Sequence, residues 1–181
     1  GIKKGWICDV ISEPDAVKFY KSRSYPFDIS KHGTLVVWNE IDKMPTSAKG
    51  LEDTLKSIKL KLKNHLGMCF HRFLEDKKLN ICIDVQELNE SIHGIKDYVE
   101  PLNPFSYPVS GQDDYPKKFK ADIDGVGGLR FEAHIWPANS DLKSYKLGGR
   151  TSSRQGFYFY RNDRLIQSGG WNGVVQDENE P

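Results

Sequence analysis

No apolar run in the chain approaches the roughly 18 residues that a membrane-spanning helix requires, and no hydrophobic leader opens it. A membrane function is thereby set aside, and a soluble, cytoplasmic protein is expected. Cysteine is scarce: Cys8, Cys69 and Cys82 are far apart, odd in number and without a CxxC pair. This pattern fits reduced thiols and excludes a disulfide framework. Cys69 and His71 are two residues apart but lack the second pair that a zinc site needs, and His32, His65, His93 and His134 show no ligand spacing. Glu132 and His134 could share a strand face, and they read as a solvated or core-edge pair and not as a metal site. Charge of one sign is also lacking. A formal net charge of +1 removes any global electrostatic argument for nucleic acid and leaves only local clusters to consider.

Catalytic signatures are missing too. Serines abound, but spacing brings no histidine near Ser152 or Ser153, so no nucleophile, base and orienting group can be assembled. The glycine-rich stretch 124–128, DGVGG, lies between two expected strands and precedes neither a helix nor a Lys-Ser or Lys-Thr pair. It reads as a structural turn and not as a phosphate loop.

What is present suits a globular fold: 181 residues, 38% hydrophobic and 28% charged, enough for one domain with a small annex. The chain opens without methionine and closes in the polar run 176–181, so an internal piece of a longer protein is expected. Residues 1–45 read as N-terminal strands leading from a preceding domain, and residues 46–181 as one α+β unit. Short strands are expected over 6–11 and, buried, over 33–38, GTLVVW, where β-formers follow a glycine. Leu51, Leu55, Ile58, Leu62, Leu66, Cys69 or Phe70, and Phe73 recur every three or four residues. They predict an amphipathic helix, broken at Gly67 into pieces over 49–65 and 68–74, with Lys56, Lys59, Lys61 and Lys63 on a solvated face. Residues 80–85, NICIDV, predict a strand with Ile81, Ile83 and Val85 on one side. The proline-bearing stretch 87–117 predicts an irregular connection, and 118–123 with 129–136 predict a hairpin. A short helix capped by Ser140 or Asp141 is expected within 138–147.

The chain is organised around residues 155–171, QGFYFYRNDRLIQSGGW, which read as a hairpin turning at Asn162 and Asp163. The register places Arg161 opposite Arg164, Tyr160 opposite Leu165 and Phe159 opposite Ile166, with Phe157, Phe159 and Ile166 on one face. The paired arginines either splay into solvent or bracket a carboxylate or phosphate. They belong to the one local basic cluster, Lys143, Lys146, Arg150, Arg154, Arg161 and Arg164, set against Asp163 as the single acidic residue of that stretch. Residues 147–154, LGGRTSSR, carry the small residues that let backbone N–H groups approach an anion. Arg150, Arg154, Arg161 and Arg164 are therefore candidates for anion or interdomain contact, with Tyr158 and Tyr160 as candidate stacking surfaces.

The segment 155–171 resembles the hairpin of the second, transducer domain of GHKL (histidine-kinase-like) ATPases, most closely the MORC-like bacterial ATP-binding proteins. GTLVVWNEIDK resembles the strand following the ATPase domain, LGMCFHRFL the helix leading into the next strand, NICIDV that strand, and PLNPF a proline-phenylalanine loop. The match keeps its order over residues 33–171. The resemblance implies an α+β fold of ribosomal-protein-like transducer type, shared with MutL and gyrase, with a mixed or antiparallel sheet and helices on one face. It implies ATP and magnesium bound by an adjoining ATPase domain of the same chain, homodimerisation, and coupling of nucleotide state to distal domains. The lysine with which the family contacts the γ-phosphate follows the hairpin and is expected beyond Pro181; this segment alone is expected not to hydrolyse ATP. The other reading drawn from the residues is a free-standing nucleic-acid or phospholigand-binding module that uses the basic 143–164 segment, a DNA-associated function included.

Overall fold

The computed structural model describes residues 10–22, 32–38, 50–85, 96–125, 127–138, 144, 147 and 154–174. The chain divides into two units, Gly1–Met44 and Pro45–Pro181. In the first, Ser12 stands in extended conformation ahead of α1 (Glu13–Lys21), and its hydroxyl accepts the Asp15 N–H at 3.3 Å. Pro14 lies in the first turn, with Glu13 and Asp15 at the positive end of the helix dipole and Lys18 and Lys21 at the negative end. The expected buried strand over 33–38 is corrected. These residues join no sheet among the described ones, and Val36 and Trp38 are 72% and 82% exposed. Four β-formers supply propensity and Leu35 and Val37 are half-buried, but a strand also needs cross-strand neighbours, and none pairs with these residues among the described ones. Of the strand expected over 6–11, only residues 10 and 11 are described, and they are unpaired.

The second unit begins with α2 (Leu51–Cys69) and α3 (His71–Glu75), and the break falls at Phe70 instead of the expected Gly67. Gly67 is buried inside α2 because a Cβ there would lie 2.5 Å from the Glu100 carbonyl oxygen. The Leu102 N–H donates to the Gly67 carbonyl at 3.0 Å, which satisfies an acceptor that the last helical turn leaves open. This glycine therefore marks a close backbone crossing and no helix end. The lysine face is also only partly solvated. Lys59 Nζ meets Asp97 Oδ2 at 3.0 Å, and Lys63 bonds the other carboxylate oxygen. Hydrogen bonds from Lys63 and then Lys59 hold the Asp97 carboxyl below its usual range.

Asp97 belongs to a ribbon in which β1 (Cys82–Ile83) pairs antiparallel with β2 (Asp97–Tyr98). The strand expected over 80–85 is thus shorter, though Ile81 and Ile83 still turn inward while Cys82 is exposed. A second ribbon joins β3 (Lys117–Ile123) to β4 (Gly127–Ala133), with Phe119 opposite Phe131 and Lys120 opposite Arg130. This is the expected hairpin, ending three residues earlier than predicted and exposed along almost its whole length. The third ribbon is β5 (Tyr158–Arg161) with β6 (Arg164–Ser168). The α+β class is as expected, and the described strands form three separate two-stranded antiparallel sheets.

Part of the core lies where α2 and α3 pack against β6, with Met68 and Leu165 buried, and Val99 and Pro104 are buried as well. Among the described residues no helix is long and apolar enough to cross a membrane. The short helix expected within 138–147 lies outside the described residues except for residues 138, 144 and 147.

Candidate functional site

Both turn residues of the third ribbon, Asn162 (φ 48°) and Asp163 (φ 60°), take the left-handed conformation that the sequence predicted. Arg161 faces Arg164 and Tyr160 faces Leu165, also as predicted. The register then shifts between Phe159 and Tyr160, so Phe159 faces Gln167 and Tyr158 faces Ser168. Ile166 is the extra residue of this bulge, which corrects the expected pairing of Phe159 with Ile166. Below the bulge the ribbon continues by backbone bonds, Phe157 N–H to the Gly170 carbonyl at 2.9 Å and Gly170 N–H to the Gln155 carbonyl at 2.7 Å.

The ribbon's buried side is the tyrosine side. Leu165 is 2% exposed, whereas Phe159 and Ile166 are 46% and 63% exposed. Tyr160 meets the Nε2 atom of His71 at 2.9 Å, and His71 is itself 2% exposed. The other ring nitrogen of His71 lies 3.5 Å from Glu75, whose carboxylate accepts from the Asn103 amide at 3.0 Å. Burial pushes the His71 pKa down, and Glu75 opposes that shift. Burial raises the phenols as well: Tyr158 is pushed up to about 12, and Tyr160 also moves upward. The Tyr158 hydroxyl donates to the Arg154 carbonyl at 2.8 Å, and its ring meets Phe105 edge-on at 5.0 Å. The Arg72 guanidinium lies 3.8 Å above the Tyr160 ring. Tyr158 and Tyr160, the candidate stacking residues, thus make these contacts within the chain.

A parallel arrangement lies beside this one. Tyr107 Oη is 2.7 Å from His134 Nδ1, and His134 Nε2 is 3.4 Å from Glu132, so the Glu132 and His134 pair does sit at a core edge. Phe105 stacks against His134 at 4.2 Å and so touches both networks. Burial lowers the His134 pKa, and Glu132 opposes it.

The four candidate arginines separate. Arg150 lies outside the described residues. Arg164 leans over the Phe70 ring at 5.2 Å, and Arg161 is exposed on the other strand. Asp163 at the turn is held by Arg72 at 2.9 Å, which fastens the tip to α3. Arg154 reaches a cleft of about 280 Å³ between α2 and the ribbon, together with Lys61, Asn64, His65, Cys69 and Ser168. Residues 61, 64, 65 and 69 share one face of α2 by helical spacing. Within the cleft the Cys69 sulfur is 3.6 Å from His65 Nε2. Burial pushes the thiol pKa up, with Arg164 pulling it back, which is the reverse of what a nucleophilic cysteine needs.

His71 stands two residues from Cys69 in a pattern too sparse for zinc, and its spacing of four from Glu75 within an apolar helical run is the sequence signal for a buried polar pair. Among the described residues no group of three or more His, Cys, Asp or Glu side chains could hold a metal ion. Comparisons with protein-family models, curated proteins and solved structures returned no match.

Proposed function

We propose that this chain is a coupling segment of a GHKL-type ATPase, in the transducer class, working with an ATP-binding domain elsewhere in a longer polypeptide. The observation that carries the reading is the two-sidedness of the third ribbon. Its tyrosine side and turn are fastened to α2 and α3 by Leu165, Tyr160 and Asp163, while Phe159 stays open on the other side. An element anchored on one face and apolar on the other can pass a neighbour's displacement to the helices beneath it. Arg161, exposed at the tip, supplies a cation on the open side. ATP and magnesium belong in this reading to the adjoining domain, as does hydrolysis. The finer fold, the ribosomal-protein-like transducer, and the homodimer that accompanies it are part of the same proposal.

The test is a hydrolysis assay on this chain and on the full-length parent. The chain alone is expected to show no turnover, and the parent to hydrolyse ATP. Phe159→Asp in the parent should lower turnover about tenfold or more while leaving nucleotide binding intact, since it disturbs transmission and not the nucleotide site. A parent without an ATPase domain, or turnover unchanged by Phe159→Asp, would reject the proposal.

A further inference from the structure

We infer that the cleft between α2 and the third ribbon is a binding site for the phosphate group of a small organic phosphate. This inference does not rest on the coupling proposal. Two cationic side chains, Lys61 and Arg154, line the cleft from different elements, and among the described residues no carboxylate lines it. Neither cation makes an ion pair among the described residues, in contrast to Lys59, Lys63 and Arg72, which all have carboxylate partners. Like charges facing one cavity repel each other, and an anion between them removes that repulsion.

The polar groups suit a tetrahedral oxyanion better than a planar carboxylate. Lys61 and His65 are one turn apart on α2, Arg154 approaches from the segment before the ribbon, and the Ser168 hydroxyl comes from β6. Donors supplied by three elements can serve three oxygens, whereas a carboxylate offers two in one plane. Two fixed positive charges also match the charge of a phosphate monoester, about −1.5 to −2 near neutral pH. Met68 and Leu165 form a buried apolar floor beneath this rim. A ligand with an apolar or aromatic body next to its phosphate would cover that floor, and about 280 Å³ limits it to a small molecule.

The full chain, isotopically labelled, is titrated with phenyl phosphate and with inorganic phosphate while amide shifts are followed by NMR. Shifts are expected for residues 61–69 and 165–168, with phenyl phosphate binding several-fold tighter than inorganic phosphate because of the apolar floor. Combining Lys61→Ala with Arg154→Gln should weaken phenyl phosphate about tenfold or more. Lys61→Arg should retain binding, and circular dichroism confirms that each variant is folded. No shifts at roughly 10 mM ligand, a limit corresponding to only about 3 kcal/mol of affinity, would overturn the inference. So would shifts centred elsewhere, or binding unchanged in the double variant. An oligonucleotide that binds more tightly than either small phosphate, with shifts spreading over the β3–β4 ribbon, would assign the cations to nucleic acid and overturn it as well. Hydrolysis by the parent is unaffected by any of these outcomes, so the two proposals fail separately.

Discussion

His71 has three polar neighbours and almost no water. Neutral, its ring can bond Tyr160 with one nitrogen and face Glu75 with the other; protonated, it carries charge into a buried site beside Arg72. Burial accordingly lowers its folded-state pKa below the unfolded value near 6.5, and the same holds for His134. The sign follows from proton uptake. Above about pH 6.5 both states hold neutral rings and the stabilisation is fully present, whereas at lower pH the unfolded chain takes up protons first and stability falls. Urea midpoints should therefore decrease between about pH 7 and pH 5. The decrease should be smaller in His71→Gln combined with His134→Gln, because the linked groups are gone; an unchanged decrease would remove the histidines as its cause. The sequence placed His71 in a helical run, but only the fold brings Tyr160, 89 residues away, to its ring.

The ribbon 155–171 shows how one extra residue redistributes an element. Alternation in the sequence specifies two faces and cannot say which is buried, because Phe157 and Phe159 are as apolar as Tyr158 and Tyr160 are amphipathic. The bulge at Ile166 lets Leu165 face inward with Tyr160 and Ser168 pair with Tyr158, leaving Ile166 exposed at the cleft beside α2. Leu165→Ala should consequently cost about 2–5 kcal/mol, as expected for a buried leucine. Ile166→Ala should cost less than about 1 kcal/mol, in line with an exposed position. Equal costs in denaturant titrations would contradict the bulged register. Gly67 carries a related lesson within α2. Its helical cost was legible, but its cause, the Glu100 carbonyl passing over the helix, belongs to a residue 33 positions away.

At the scale of the molecule, Gly1–Met44 and Pro45–Pro181 each form their own compact unit. The buried hydrophobic residues described, Met68, Val99 and Leu165, all belong to the second. Residues 45–181 expressed alone should therefore keep a cooperative unfolding transition, with a urea midpoint close to that of the same unit in the full chain. Loss of cooperativity on removing residues 1–44 would show that the first unit completes the core of the second. The sequence by itself determined the α+β class, the left-handed turn at Asn162 and Asp163, the 117–133 hairpin and the long helical stretch, because each depends on local periodicity and turn chemistry. Only the tertiary structure decided which side of the central ribbon is buried, where α2 ends, that Arg154 and Lys61 line one cleft, and that Arg164 lies over Phe70. Those outcomes depend on contacts between residues distant in the chain, and close packing at such contacts, not local preference, selects among faces that the pattern leaves equivalent.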